Sequence, residues 1–191
     1  MDEVDYNARL AELEVQELQA EDEPSDKLYA QLLALYILTD DLISAKFLWK
    51  RIPSNVKSDN EDLRTIWDIA VNLTRRTPSA IYFLIRERDW PPHVKTIMSR
   101  IADRVREQQV ALISSAYSDI RMEDLTRLTG FESEEETLKL VTELGWSVDT
   151  ASKTVMPRKG SRSPRSVDED REMSQEQLHK LTEYVAFLEN H

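Results

Sequence analysis

The spacing of apolar residues constrains this chain more than any other feature. Over most of the 191 residues they recur at every third or fourth position, and only three glycines are present. Spacing of this kind is typical of amphipathic α-helices, whereas half-buried strands require alternation at every second residue. Prolines and capping residues divide the pattern into segments of helical length. We therefore predict a mostly α-helical protein.

Residues 26–116 contain two successive helical hairpins and a longer helix. Pairs of helices that repeat about every 35 residues are typical of short TPR-like arrays, because each pair buries its apolar face against the next. Ser58 and Glu61 have the spacing of a capping box, and Thr77 precedes a proline at a first helical position. The predicted helices cover residues 26–39, 41–52, about 59–88 as a pair, and about 94–116.

Residues 1–25 form a separate, acidic N-terminal segment. Ten Asp and Glu residues and one arginine lie within the first 26 positions, which accounts for most of the net charge of −11. One amphipathic helix is predicted from Tyr6 to Leu18, with Leu10, Leu13 and Leu18 on its apolar face. The acidic residues that follow indicate a loop.

The predicted elements become shorter in residues 117–157. One helix ends at Gly130, and a second begins at the capping residue Ser133 and ends at Gly145. Two helices joined by a tight turn and followed by a β-hairpin are typical of a winged helix. The predicted helices cover residues 122–129 and 133–144, and the predicted strands cover 146–148 and 154–156.

A flexible linker is predicted for residues 158–173. Almost no apolar side chains occur there, so burial cannot offset the entropy lost on ordering. The basic residues around Ser163 leave open an acidic partner or phosphorylation at that serine. A solvated linker is the favoured interpretation.

A final helix is predicted for residues 174–191. Its apolar residues repeat at intervals of three and four, which is a heptad seam. An isolated helix of about 16 residues is marginal in water, so this seam must be buried, either on the chain's own domain or against helices of other chains. The long tether favours the second arrangement. The predicted contact residues are Leu178, Leu181, Tyr184, Val185 and Leu188.

The sequence lacks the residues that most catalytic and cofactor sites need. It has no cysteine, its three histidines show no metal-binding spacing, and it contains no glycine-rich phosphate motif or nucleophile elbow. The best catalytic candidates are the adjacent carboxylates Asp40 and Asp41, for which a helix cap is the favoured interpretation. We therefore predict a non-enzymatic protein with no cofactor, no metal and no small-molecule substrate.

A helix-turn-helix also raises the possibility of nucleic-acid binding. The second helix of this module carries four acidic residues against one lysine, and residues 117–157 contain nine acidic and four basic side chains. Because phosphate contacts depend on clustered Lys and Arg, we expect this winged helix to bind protein and no nucleic acid.

The longest apolar run, Leu32 to Leu38, is far shorter than the roughly 20 residues of a membrane span. We therefore expect no membrane association. The lack of cysteines is typical of reducing compartments, and we expect the cytoplasm and nucleus.

Several sequence blocks resemble one protein family. The order of a helical-repeat array and a winged helix is similar to that of PCI-domain proteins, which occur in the proteasome lid, the COP9 signalosome and translation initiation factor three. Within this family the blocks resemble the smallest signalosome subunits most closely. They are Gln31 to Tyr36, Phe47 to Pro53, Ala116 to Ser118, Gly145 with Trp146, Met156 to Lys159, and Leu181 to Asn190.

The resemblance implies a PCI domain and a scaffold role in the complex that deneddylates cullins and so regulates cullin-RING ubiquitin ligases. It also implies that the isopeptidase activity belongs to a different, zinc-binding subunit. In such complexes winged helices associate edge to edge and C-terminal helices join one bundle. Trp146, Val148 and Val155 would belong to the first of these contacts, and the expected partners are other signalosome subunits in a hetero-oligomer.

Two alternatives stay open at this point. The chain could be the corresponding small PCI subunit of the proteasome lid or of the initiation factor. In a different class, it could be a winged-helix nucleic-acid-binding protein.

Overall fold

A computed structural model describes residues 6–19, 25–149 and 152–158. These residues form a mostly helical protein with one small antiparallel sheet, which confirms the predicted fold class. The helices are α1 (Tyr6–Gln19), α2 (Asp26–Leu38), α3 (Leu42–Arg51), α4 (Ser54–Asp59), α5 (Glu61–Arg75), α6 (Pro78–Arg86), α7 (Pro92–Ala116), α8 (Met122–Thr129) and α9 (Glu134–Glu143), and the strands are β1 (Ile120–Arg121), β2 (Ser147–Asp149) and β3 (Thr154–Met156).

Helix α2 is the centre of the larger of the two hydrophobic cores that the described residues form. Its seven consecutive residues from Leu32 to Leu38 are all buried. A helix that is apolar on every side must be surrounded by other elements. Helix α2 packs against α1, α3, α5 and α7. The helical-repeat array is therefore built around this one helix.

The start of α5 differs from the prediction. Ser58 lies inside the short helix α4, so it does not cap α5. Asn60 has that role, because its side-chain oxygen accepts a hydrogen bond from the backbone N–H of Leu63 at 3.0 Å. Helix α4 has only six residues, which is too few for a periodic apolar pattern to reveal it.

The start of α6 is only partly as predicted. Pro78 occupies the first helical position, but the side chain of Thr77 does not cap the helix. The hydroxyl of Thr77 bonds instead to the end of α5, where it donates to the carbonyl oxygen of Asn72 at 3.2 Å. Thr77 therefore closes the turn between α5 and α6.

Helix α1 confirms the predicted N-terminal helix but not its whole apolar face. Leu13 is buried against the core and Leu10 is partly buried. Leu18 is 85% exposed, because it follows Leu13 by five positions and so lies roughly 140° further around the helix. The nearby Glu17 forms an ion pair with Arg51 of α3 at 2.7 Å, which ties α1 to the array.

The winged helix follows α7 in the order β1, α8, α9, β2 and β3. The sheet has the strand order β1-β3-β2, and Val155 of the central strand lies opposite both Ile120 and Val148. The β2–β3 hairpin was predicted, whereas β1 was not. Strand β1 has only two residues, too few to show alternation.

Helix α7 contributes to both cores. Val94 and Val105 lie in the core of the helical-repeat array, whereas Ile113 lies in the smaller core of the winged helix. The helix is continuous over 25 residues, so it connects the two parts directly. The predicted division of the chain between residues 116 and 117 stays a prediction.

Arg106 of α7 holds the turn that joins α8 to α9. Its guanidinium carbon lies 4.8 Å from the ring centre of Phe131 and 5.8 Å from that of Tyr82. Its Nε donates a hydrogen bond to the carbonyl oxygen of Thr129 at 3.0 Å. Arg106 thus combines cation–π contacts with a backbone cap where the array meets the α8–α9 turn, a contact we call the joint.

Gly130 brings the same turn against α6. Its φ of 73° is left-handed, and a Cβ atom there would lie 2.2 Å from Cγ of Tyr82. Arg86 of α6 donates from Nη2 to the carbonyl oxygen of Gly130 at 2.6 Å. A glycine at this position therefore lets the winged helix approach the array closely.

Candidate protein-interaction site

The adjacent carboxylates Asp40 and Asp41 lie at the turn between α2 and α3. Asp41 is the N-cap of α3, and its Oδ1 accepts a hydrogen bond from the backbone N–H of Ser44 at 2.9 Å. This hydrogen bond lowers the pKa of Asp41. Asp40 has a left-handed backbone with a φ of 66°. The predicted helix cap is therefore confirmed for Asp41.

The described residues contain no group of three or more His, Asp or Glu side chains that could hold a metal ion. Within the same ranges, each helix is too short or too polar to cross a membrane.

Helix α9 presents an acidic surface where a DNA-binding protein would present a basic one. Ser133 caps the helix by accepting a hydrogen bond from the backbone N–H of Glu136 at 3.3 Å. Glu134, Glu135 and Glu136 occupy the first turn and are exposed, where they interact favourably with the helix dipole. They would repel the phosphates of a nucleic acid.

The three predicted contact residues of the winged helix lie together, but their side chains face its own core. Trp146 and Val155 are buried, and Val148 packs against them while partly exposed. Most of their surface is therefore covered within the chain. Their role in a subunit contact stays a prediction. Because they are mostly buried, they would support such a contact by holding the sheet in place and not by touching the partner.

The opposite face of the hairpin is the exposed one. Ser147 lies across from Met156, and both are exposed. Neither residue was among the predicted contacts, although the alternation of Trp146, Ser147 and Val148 indicates which of them faces outward. Met156 is 48% exposed, so this face offers a partner an apolar side chain.

Strand β2 forms one edge of the sheet. Among the described residues its strand partner is β3, on one side only. The backbone at an edge can pair with a strand from another chain, which gives a sheet edge its capacity for β-augmentation. This edge is the best candidate site for a protein contact in the winged helix.

The second predicted contact lies outside the described residues. It comprises Leu178, Leu181, Tyr184, Val185 and Leu188 of the predicted C-terminal helix, and it stays a prediction together with the linker over residues 158–173.

Comparison with known proteins identifies a family. The sequence model of the CSN8/PSMD8/EIF3K family matches residues 23–165. The chain is 39% identical over 166 residues to the protein named COP9 signalosome complex subunit 8 of Xenopus laevis, covering 87% of this chain and 83% of that protein.

Proteins of the same name from a plant and an insect are also similar. That of Arabidopsis thaliana is 33% identical over 85% of this chain and 79% of its own length. That of Drosophila melanogaster is 31% identical over 86% of each chain. The matched region contains both the helical-repeat array and the winged helix, and the chain therefore belongs to the CSN8/PSMD8/EIF3K family.

Proposed function

We propose that this chain is a non-catalytic scaffold subunit of a COP9 signalosome, the complex that deneddylates cullins and regulates cullin-RING ubiquitin ligases. Relatives from a frog, a plant and a fly, each matching at least 85% of this chain, carry the name of signalosome subunit 8. The same family name also includes proteasome-lid and initiation-factor subunits. The signalosome is preferred because these relatives bear its name.

The observation that carries the scaffold role is the edge strand β2 of the winged helix. Main-chain hydrogen bonds can attach a partner's strand there without any catalytic group. The joint formed by Arg106 and Gly130 fixes this edge relative to the helices. A sheet edge held in this way suits a subunit that orients its neighbours.

The partners in this proposal are sister subunits, and two segments make the contacts. The winged helix, with Trp146, Val148 and Val155 supporting its sheet, makes one. The helix over residues 174–191 makes the other by joining a bundle. No nucleic acid, membrane or small-molecule substrate is part of the proposal, which locates the protein in the cytoplasm and nucleus.

Hydrogen exchange measured by mass spectrometry tests the edge contact directly. The full chain is compared alone and within the complex purified from cells. We expect the amides of residues 146–149 to exchange more slowly in the complex, because pairing with a partner's strand would protect them. A peptide covering the acidic face of α9, residues 134–139, serves as the internal control. Equal exchange of β2 in both samples would contradict the edge contact.

Deleting residues 174–191 tests the second contact. Loss of assembly with an unchanged melting curve would support the bundle-forming helix, whereas intact assembly would leave the winged helix as the attachment. The subunits that copurify with the full chain distinguish a signalosome from a proteasome lid or an initiation factor. Salt-dependent retention on a DNA or RNA column would instead support the nucleic-acid alternative.

A further inference from the structure

Helix α3 exposes two large apolar side chains on one side. Ile43 is 71% exposed and Phe47 is 58% exposed. They are four positions apart and therefore lie one helical turn from each other. The opposite side of α3 is buried through Ala45 and Leu48, so the exposed pair is a second apolar face and not part of the array's core.

A groove runs beside this face. It has a volume of about 550 Å³, and Phe47, Lys50 and Tyr36 are among the residues that line it. Tyr36 is itself fixed, because its hydroxyl donates to Oε1 of Glu14 in α1 at 2.7 Å. The side of the groove formed by Tyr36 is therefore held in place by the packing of α1 against α2.

The charge of α3 differs from that of the chain as a whole. The helix contains Lys46, Lys50 and Arg51 and no acidic residue, whereas the net charge of the protein is −11. Arg51 is paired with Glu17. Lys46 and Lys50 form no ion pair with any of the described residues. The apolar face is thus accompanied by two cations that an acidic ligand could neutralise.

We propose that the outer face of α3, made of Ile43, Phe47, Lys46 and Lys50, binds an acidic amphipathic helix of another protein. Ile43, Phe47 and Lys50 occupy positions i, i+4 and i+7, a stripe roughly 10 Å long. Such a stripe matches two to three turns of a helix that has apolar residues on one side and carboxylates at its margin.

Charge and apolar complementarity disfavour three other occupants, and the proposed function assigns the predicted helix of residues 174–191 to a bundle with other chains. A second copy docked through the same face would bring the lysines of both copies together, and like charges across an interface are unfavourable. A nucleic acid would neutralise the lysines but leave Ile43 and Phe47 without an apolar partner. The chain's own acidic residues 20–24 include no large apolar side chain.

This surface is separate from the edge strand of the winged helix. Helix α3 packs against α2 and α5, whereas the winged helix is held by α6 and α7. The inference therefore goes beyond the proposed function and does not depend on which complex the chain enters.

Photo-crosslinking from α3 in cells tests the inference. The full chain carries p-benzoylphenylalanine in place of Phe47, and the crosslinked peptide is sequenced by mass spectrometry. We expect one segment of another protein, with acidic residues beside apolar residues at helical spacing. A crosslink to residues of the same chain, to a second copy or to nucleic acid would overturn the inference, and so would the absence of any crosslink.

Matched variants show whether the surface itself is responsible. Phe83 is the matched control, because it is also 58% exposed but lies on α6 and outside the proposed surface. The same photoreactive residue at position 83 should not label that segment. The double substitution Lys46→Glu and Lys50→Glu should lower the yield from position 47 about tenfold, because it converts attraction into repulsion. Lys139→Glu on α9 should leave the yield unchanged.

Two results among these would also reject the inference. They are an equal label from position 83 and an undiminished yield after charge reversal on α3. Size-exclusion chromatography of the same extract shows whether the chain enters a large complex. Failure of the proposed function and failure of this inference therefore appear in different measurements.

Discussion

Substitution of Gly130 by alanine tests how the winged helix is joined to the array. Gly130 has a φ of 73°, and an added Cβ would lie 2.2 Å from Cγ, and 2.3 and 2.7 Å from the two Cδ atoms, of Tyr82. Real Cβ atoms do not approach other atoms so closely, so the ring of Tyr82 or the turn itself must move. Tyr82 is buried, which restricts where its ring can go.

The expected loss of stability has two parts. A left-handed backbone costs an alanine about 1 kcal/mol relative to glycine. Overpacking a filled core costs a further 1–3 kcal/mol, roughly. Gly145 separates the two effects, because its φ is 66° and nothing lies within 4 Å of its added Cβ. We expect Gly130→Ala to cost about 2–4 kcal/mol and Gly145→Ala about 1 kcal/mol.

Urea unfolding of the full chain, followed by far-ultraviolet circular dichroism, measures both free energies. With a slope of about 2 kcal/mol per molar urea, the difference would separate the two midpoints by roughly 0.5–1.5 M. Tyr82→Ala combined with Gly130→Ala should lose less than the sum of the two single variants, because the clash is then absent. Equal midpoints for Gly130→Ala and Gly145→Ala would refute the close packing of this joint.

Three further predictions test other parts of the structure. Burial raises the pKa of Tyr82 from 10.0 to about 12, so the folded protein holds this proton more tightly than the unfolded chain. The stability it contributes is complete below pH 10 and is lost as the pH rises towards 12; Tyr82→Phe should therefore show a shallower loss of unfolding free energy over this range. Asp41→Ala should cost about 1 kcal/mol at pH 7 through loss of the cap on α3, and Asp41 and the variant should become equally stable as acid protonates the carboxylate through its lowered pKa, as urea unfolding at several pH values would show. Arg106→Ala should destabilise more than Arg86→Ala in the same assay, because Arg106 is 26% exposed and Arg86 is 49% exposed; the reverse order would contradict the role given to Arg106.

The helices could be predicted from the sequence because apolar spacing and burial have the same cause. The run from Leu32 to Leu38 is apolar on all sides and forms the buried central helix. Gly130 was also predicted correctly as the end of α8, since a left-handed residue commonly terminates a helix. Errors arose where several capping residues stand close together, as with Ser58 and Asn60. Both residue types cap helices, and local sequence does not decide between them.

The candidate site could be predicted only in part. The β-hairpin was recognised from its apolar residues, and those same residues, Trp146 and Val155, are the ones that the core buries. An open sheet edge depends on which strands pair, and β1 is too short to be recognised from sequence. The contact between Arg106 and the α8–α9 turn likewise joins residues 23 positions apart, and no local pattern signals it.

The two proposed surfaces contribute differently to recognition. Backbone pairing along β2 would give affinity with little dependence on the partner's sequence, so it cannot by itself select one partner among several that offer a free strand. Specificity must come from side chains, and the lysines of α3 provide a charge opposite to that of the chain as a whole. Two attachments on one chain reinforce each other only if their spacing matches that of the partner sites. If both surfaces bind as proposed, the close packing at Gly130 sets this spacing and so matters for assembly as well as for stability.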